Sequence, residues 1–174
     1  MISVFSVNSM VKLERTRTKK EGEPMKLYLV QHGLYLSEDI DSKKGLSEKG
    51  RTQTQKIAEF LKERGIKVNL IWHSKKERSI QTAEIFREYM PNAEIVQRGD
   101  LNPNDPVDEF PNQIQSLQED LMVVGHLPFL KKLSSLLLVG SENREVVAFK
   151  NSGIVCLEYT GTWRILWVIT PDLF

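Results

Sequence analysis

The stretch Lys26-Leu27-Tyr28-Leu29-Val30-Gln31, followed at once by His32-Gly33, decides how the chain is built. A short, mostly apolar run that ends against a glycine reads as a buried strand. Further short strand-like runs lie downstream at Val68 to Trp72, at Glu94 to Gln97 and at Leu121 to Val124. Segments of helical period lie between these runs. Ser47 can cap a helix running to about Arg64, with Ile57, Ala58, Phe60 and Leu61 as its apolar face and Gly65 as its stop. Glu77 to Tyr89 repeats the pattern with Ile80, Ala83, Ile85 and Phe86, and Pro91 lies beyond its end. Val107 to Leu117 and Pro128 to Leu138 complete the helices; Pro128 suits a first turn, where its missing N–H would be unpaired anyway. The end of the chain differs. Glu145 to Phe149, Ile154 to Thr160 and Trp163 to Thr170 are strand-like, the last two flanking Gly161 as a hairpin. The predicted class is α/β: a single three-layer domain with a largely parallel sheet, helices on both faces and an antiparallel C-terminal edge hairpin.

A length of 174 residues suits one domain with one sizeable core. Lys plus Arg is 24 and Asp plus Glu is 23, so the net charge is 24 − 23 = +1, which points to neither a nucleic-acid nor a membrane partner. No apolar stretch approaches the ~20 residues of a membrane span. The single cysteine, Cys156, excludes a disulfide framework, fits a reducing cytoplasm, and reads as a small buried hydrophobe. Residues 1–24 read as a charged N-terminal tail, because Lys12 to Glu23 has no apolar period; residues 25–174 form the domain. The alternative is that Ile2 to Val7 adds an edge strand. Met1 to Val7 has no basic segment before it and makes a poor signal peptide.

The chain has three histidines, His32, His73 and His126, each closely following an apolar run. In an open parallel sheet the carboxyl ends of the strands face one crevice, where ligands bind. Two chemistries compete for such a set. One is a three-histidine zinc site. The other is phosphate chemistry, which the surroundings favour. Gly33 lets backbone approach a ligand, His126 and Leu127 precede a helix start, where N–H groups and the dipole favour an anion, and Arg78 on the first turn of the second helix can present a planar fork to phosphate oxygens. No carboxylate stands at metal-ligand spacing beside them.

These motifs resemble those of the histidine phosphatase superfamily, the phosphoglycerate-mutase-like fold. Gln31-His32-Gly33 stands where that family has Arg-His-Gly. Leu46-Ser47-Glu48-Lys49-Gly50 matches its Leu-Ser/Thr-x-x-Gly, and His73-Ser74-Lys75-Lys76-Glu77-Arg78-Ser79-Ile80-Gln81-Thr82-Ala83 matches Ser-Ser-Pro-x-x-Arg-Ala-x-Gln-Thr-Ala. Val123-Val124-Gly125-His126 matches its strand-Gly-His. Gly125-His126-Leu127-Pro128, Asn151-Ser152-Gly153-Ile154 and Thr170-Pro171 resemble the SixA type of phosphohistidine phosphatase. The likeness runs from about Met25 to Phe174.

The resemblance implies roles. His32 would be the nucleophile, and Arg78 and His126 would bind the phosphoryl group and stabilise its transition state. Gln31, Gly33 and Leu127 would join Arg78 and His126 around the phosphate. His73, Lys75 and Asp105 are auxiliary candidates; Asp105 is the nearest residue to a proton donor and also reads as a turn acid. The implied activity is a metal-independent, cofactor-free phosphatase that cleaves phosphohistidine in a protein, or a related phosphomonoester. An imidazole leaving group needs less acid assistance than an alkoxide. The substrate would be a phosphorylated protein or a small phosphorylated molecule. Three departures stand out: Gln31 replaces an arginine, His73 a serine and Lys75 a proline. They leave open a phosphate- or phosphoprotein-binding module with vestigial catalysis.

Overall fold

The computed structural model describes Lys19 and residues 23–174; the expectations for the rest of the N-terminal tail, including Ile2 to Val7, lie outside them. The elements run β1 (Met25–Gln31), α1 (Glu48–Glu63), β2 (Leu70–Ser74), α2 (Glu77–Tyr89), β3 (Glu94–Arg98), α3 (Phe110–Leu117), β4 (Leu121–Gly125), α4 (Phe129–Val139), β5 (Ile154–Tyr159) and β6 (Trp163–Ile169), with a 3-10 turn at Pro171–Leu173.

The six strands form one sheet in the order β3-β2-β4-β1-β5-β6. Pairings among β3, β2, β4 and β1 are parallel, while β5 pairs antiparallel with both β1 and β6. Side chains alternate between faces along each strand, and the core divides accordingly. Leu27 and Leu29 of β1 and Val123 of β4 pack with Phe110 and Ile114 of α3 and Phe129 and Leu133 of α4. Tyr28, Val30, Met122 and Val124 pack on the opposite face with Ile57 and Leu61 of α1 and Ile85 and Phe86 of α2. Leu121 to Val124 are wholly buried, because β4 is interior to the sheet and covered on both faces. Cys156 is buried in β5, and burial pushes its thiol up to about 12.

Three sequence expectations shift. Residues 145–149 are not a strand. β1 and β5 already have a neighbour on each side, and the segment instead crosses the surface, burying Val147 and packing Phe149 on the α3–α4 side. The third helix starts at Phe110 rather than Val107, with Pro111 in its first turn, where a residue without an N–H is tolerated. The second strand runs on to Ser74, so His73 lies inside it, in register with Val124 of β4 and Gln97 of β3. Ser74, not His73, ends that strand.

Lys19 is seated at the opposite end of the sheet from the histidines. Its backbone N–H donates to the Gln118 carbonyl at 2.9 Å, and its ammonium pairs with Asp120 at 2.5 Å. Asp120 also accepts the Lys26 N–H at the start of β1, at 2.6 Å.

Candidate active site

The site is assembled where β1, β2 and β4 end side by side. His32 follows β1 directly, and its backbone N–H donates to the Gly125 carbonyl at 3.1 Å, which extends the β1–β4 ladder by one bond. His126 follows β4 directly. The two imidazoles lie 4.9 Å apart between ring centroids. Both are buried, His32 at 5% exposure and His126 at 1%.

His32 is held as one tautomer. Its Nδ1 lies 2.9 Å from the Gly33 carbonyl, which can only accept, so Nδ1 carries the hydrogen and Nε2 the lone pair. Arg78 confirms this from the other side: its Nε–H donates to His32 Nε2 at 3.1 Å. The Arg78 guanidinium also lies over the Tyr35 ring, 4.5 Å from its centroid, and the Tyr35 ring meets His32 edge-on at 5.3 Å. Burial, and then the Arg78 charge, lower the His32 pKa to about 4 against the raising effect of the Gly33 hydrogen bond. Burial first, then His32, Arg78 and Lys76, lower that of His126 to about 3. Both rings are neutral at pH 7. Arg78 is also lowered by burial, yet a guanidinium remains a cation throughout the working range.

The loops and helix around His32 explain the motifs in physical terms. Ser47 caps α1 by accepting the Gly50 N–H at 3.1 Å. A Cβ at Gly50 would stand 2.0 Å from the Leu34 carbonyl oxygen, so only glycine lets the helix start lie against the segment after His32. Gln81 accepts the Leu46 N–H at 2.8 Å and donates to Glu77 at 2.7 Å, tying that loop to α2. Thr82 accepts the Gly33 N–H at 3.0 Å. Gly33 therefore spends its own N–H on α2, and its missing side chain makes room for Leu46 and Thr54. Asn151 donates to the His32 carbonyl at 2.9 Å, and the Ser152 N–H reaches the Gln31 carbonyl at the same distance.

The remaining candidates occupy different settings. Ser74 Oγ lies 2.5 Å from His126 Nε2, whereas the His73 ring donates to the Ser74 carbonyl at 2.9 Å. Gln31 ends β1 opposite Gly125, and its Oε1 is buried without a hydrogen-bond partner. Leu127 is half-buried ahead of α4, whose start has no side-chain cap. Asp105 accepts from Asn102 Nδ2 at 2.8 Å and from its backbone N–H at 2.7 Å, as a turn acid does. Lys75 is exposed. Among the described residues, no three His, Cys, Asp or Glu side chains are grouped to hold a metal ion. Ser74, Tyr35, Thr82 and Asn151 are contacts that the sequence reading passed over. Ser74, Thr82 and Asn151 lie inside motifs quoted for their spacing; nothing in the sequence points to Tyr35.

Residues 27–103 match the model of the histidine phosphatase superfamily (branch 1). That stretch, from β1 to just beyond β3, thus resembles the superfamily in sequence. Among curated members, it is 39% identical over 64 residues to 6-phosphofructo-2-kinase/fructose-2,6-bisphosphatase 4 of Rattus norvegicus, a match covering 35% of this chain. The same enzyme of Homo sapiens gives the same figures. The match spans only 14% of the length of these curated relatives. Superfamily folds align over most of the chain. The protein histidine phosphatase SixA in complex with tungstate superposes with a TM-score of 0.76 at 21% identity, covering 86% of this chain and 99% of that one. A SixA structure from Agrobacterium tumefaciens gives 0.70 at 22% identity, covering 83% and 97%. The fold of these structures is thus shared over most of this chain.

Proposed function

We propose that the chain is a phosphatase that hydrolyses phosphohistidine in a protein, or a related phosphomonoester, through a covalent phosphohistidine on His32. The observation that carries this reading is the His32 tautomer, with Nδ1–H fixed on the Gly33 carbonyl and the Nε2 lone pair facing the Arg78 guanidinium. A neutral imidazole with a directed lone pair beside a permanent cation is a nucleophile next to an anion-binding group.

Phosphorus has to arrive at Nε2, where Arg78 Nε now donates, so the guanidinium gives way as substrate enters and closes on the equatorial oxygens. His126 lies beside them, and Gln31 offers a neutral amide where the superfamily motif has arginine. The P–N or P–O bond to the leaving group breaks as the Nε2–P bond forms, with charge spread over the three equatorial oxygens. Water then attacks the phosphohistidine, releasing inorganic phosphate and restoring neutral His32. None of these steps calls on a metal or a cofactor. No described carboxylate is joined to His32 or His126, which favours a leaving imidazole over an alkoxide. Preference for a phosphorylated protein also draws on the likeness to SixA. The lone buried cysteine fits a cytoplasmic setting; among the described residues, no helix is long and apolar enough to cross a membrane.

A second reading is a phosphoprotein-binding module with residual catalysis. Gln31 favours it, because a neutral side chain with a buried, unpaired Oε1 stands beside the nucleophile. Acid-quenched turnover of a phosphohistidine peptide decides between the two. Enzyme-bound, acid-labile phosphate that disappears in His32→Ala supports the phosphatase. Full activity in His32→Ala, or activity abolished by chelators and restored by zinc, overturns it.

A further inference from the structure

Ser74 is wholly buried at the end of β2, and two neighbours meet its hydroxyl while a third holds its backbone. Its backbone N–H donates to Ser79 Oγ at 3.2 Å, and Ser79 in turn donates to the Val124 carbonyl at 2.8 Å, which fixes Ser74 against β4. The Lys76 N–H donates to Ser74 Oγ at 3.3 Å, so one acceptor position of that oxygen is filled. The other contact of Ser74 Oγ is His126 Nε2 at 2.5 Å.

A hydroxyl has one hydrogen to give. No carbonyl or carboxylate is recorded against Ser74 Oγ among the described residues, so His126 Nε2 is the acceptor available for that hydrogen. If Nε2 accepts, neutral His126 carries its own hydrogen on Nδ1. That atom is buried and has no partner in the protein. A buried N–H without an acceptor is rare in folded proteins and calls for an explanation. Here it sits on a ring 4.9 Å from the His32 ring, beside Arg78. An incoming oxyanion supplies the missing acceptor.

We propose that Ser74 is a positioning residue that sets the tautomer of His126, holding Nδ1–H as a neutral donor for a phosphoryl oxygen. The role rests on the phosphatase reading of the site and adds a residue to which no motif spacing assigns a task. It also gives His126 a function without a charge: the ring binds phosphate as a hydrogen-bond donor, which its burial permits, and Arg78 supplies the charge.

The test is nitrogen NMR of the three histidine rings in uniformly labelled, full-length protein, with and without orthovanadate as the phosphate mimic. In the wild type the His126 proton should sit on Nδ1, and that resonance should move on adding vanadate. Ser74→Ala should release the ring to the other tautomer, weaken vanadate binding roughly 10–100-fold, as loss of a partner that orients a histidine commonly does, and lower kcat/KM in step. Ser74→Thr, which keeps a hydroxyl, should restore all three. A wild-type His126 protonated on Nε2 overturns the proposal, as does a Ser74→Ala protein with unchanged tautomer or vanadate affinity. The wild-type measurement needs no variant to fold and no turnover. Loss of the phosphatase reading through an active His32→Ala is therefore distinguishable from loss of this one.

Discussion

Arg78 Nε donates directly to His32 Nε2 at 3.1 Å, which sets the cation against the lone pair of that nitrogen. This contact does two things. It holds the lone pair in place, and it contributes to lowering the His32 pKa, after burial. Arg78→Ala should lower kcat/KM by roughly 10²–10³-fold, the scale for losing one transition-state donor. The acid limb of kcat/KM should also move to higher pH, since a repelling charge has gone. Arg78→Lys should recover the charge without the planar fork, and so only part of the rate. An unchanged pH profile in Arg78→Ala would show that the guanidinium does not act on His32.

The two neutral imidazoles make stability depend on pH with a definite sign. His32 is lowered to about 4 and His126 to about 3, burial being the first cause in both. In the unfolded chain both return to about 6.5. Between these values the unfolded chain binds more protons, so stability rises with pH. The contribution is full above about pH 6.5 and is lost as pH falls towards 4 and then 3. Each tenfold change in proton affinity is worth about 1.4 kcal/mol, so urea unfolding at pH 7, 5 and 4 should show a loss of order several kcal/mol. Replacing both histidines with asparagine should flatten that dependence; an equally steep slope would place its origin elsewhere.

Gln31 should weaken catalysis without ending it. An amide can donate a hydrogen bond to a phosphate oxygen, but charge-assisted bonds are roughly twice as strong. On one aryl phosphate, kcat/KM should fall in the order Gln31→Arg, wild type, Gln31→Ala. If the arginine variant is inert while Lys75→Ala or Lys76→Ala is crippling, the missing charge has been supplied from the loop after β2.

Gly50→Ala should unfold early. Its Cβ would meet the Leu34 carbonyl at 2.0 Å, and backbone cannot yield as a flexible side chain can. Overpacking of this kind costs about 1–3 kcal/mol, and about 2–4 °C of Tm goes with each kcal/mol in a domain this size. Activity at 25 °C should fall as well, because the displaced segment follows His32-Gly33. A variant with wild-type Tm would refute the close approach.

Removing residues 1–24 should leave kcat and KM unchanged. The described part of that stretch makes its contacts through Lys19 at the far end of the sheet, on Gln118 and Asp120. A half-buried ion pair of this kind is worth about 1 kcal/mol or less, so Tm should drop by no more than a few degrees. A larger drop would show that the tail packs on the body.

The fold was legible because its signals are local and repeated. The apolar runs at β1 and β4 are bounded by His32-Gly33 and Gly125-His126, α1 carries its Ser47 cap, and both α1 and α2 carry their apolar faces in plain view. The strand expected at 145–149 misled because Val147 and Phe149 alternate as a strand would; whether a sheet edge is free for pairing is a property of topology, which local pattern does not carry. The grouping of His32 with His126 was legible, since residues that follow parallel strands converge, and Arg78 joins them from the first turn of α2. Ser74 was hidden by the position of the strand's end. A two-residue extension of β2 places His73 within the ladder and gives Ser74 the edge, and no periodicity distinguishes the two. Tyr35 was hidden for another reason, since its contacts with Arg78 and His32 depend on a loop path set by Gly50 and Gln81.

The His32 and His126 rings are brought side by side by the main chain. The His32 N–H bonds to the Gly125 carbonyl, and His126 is the next residue along. The two imidazoles are thus riveted to adjoining main chains, and the gap between them follows the register of β1 on β4.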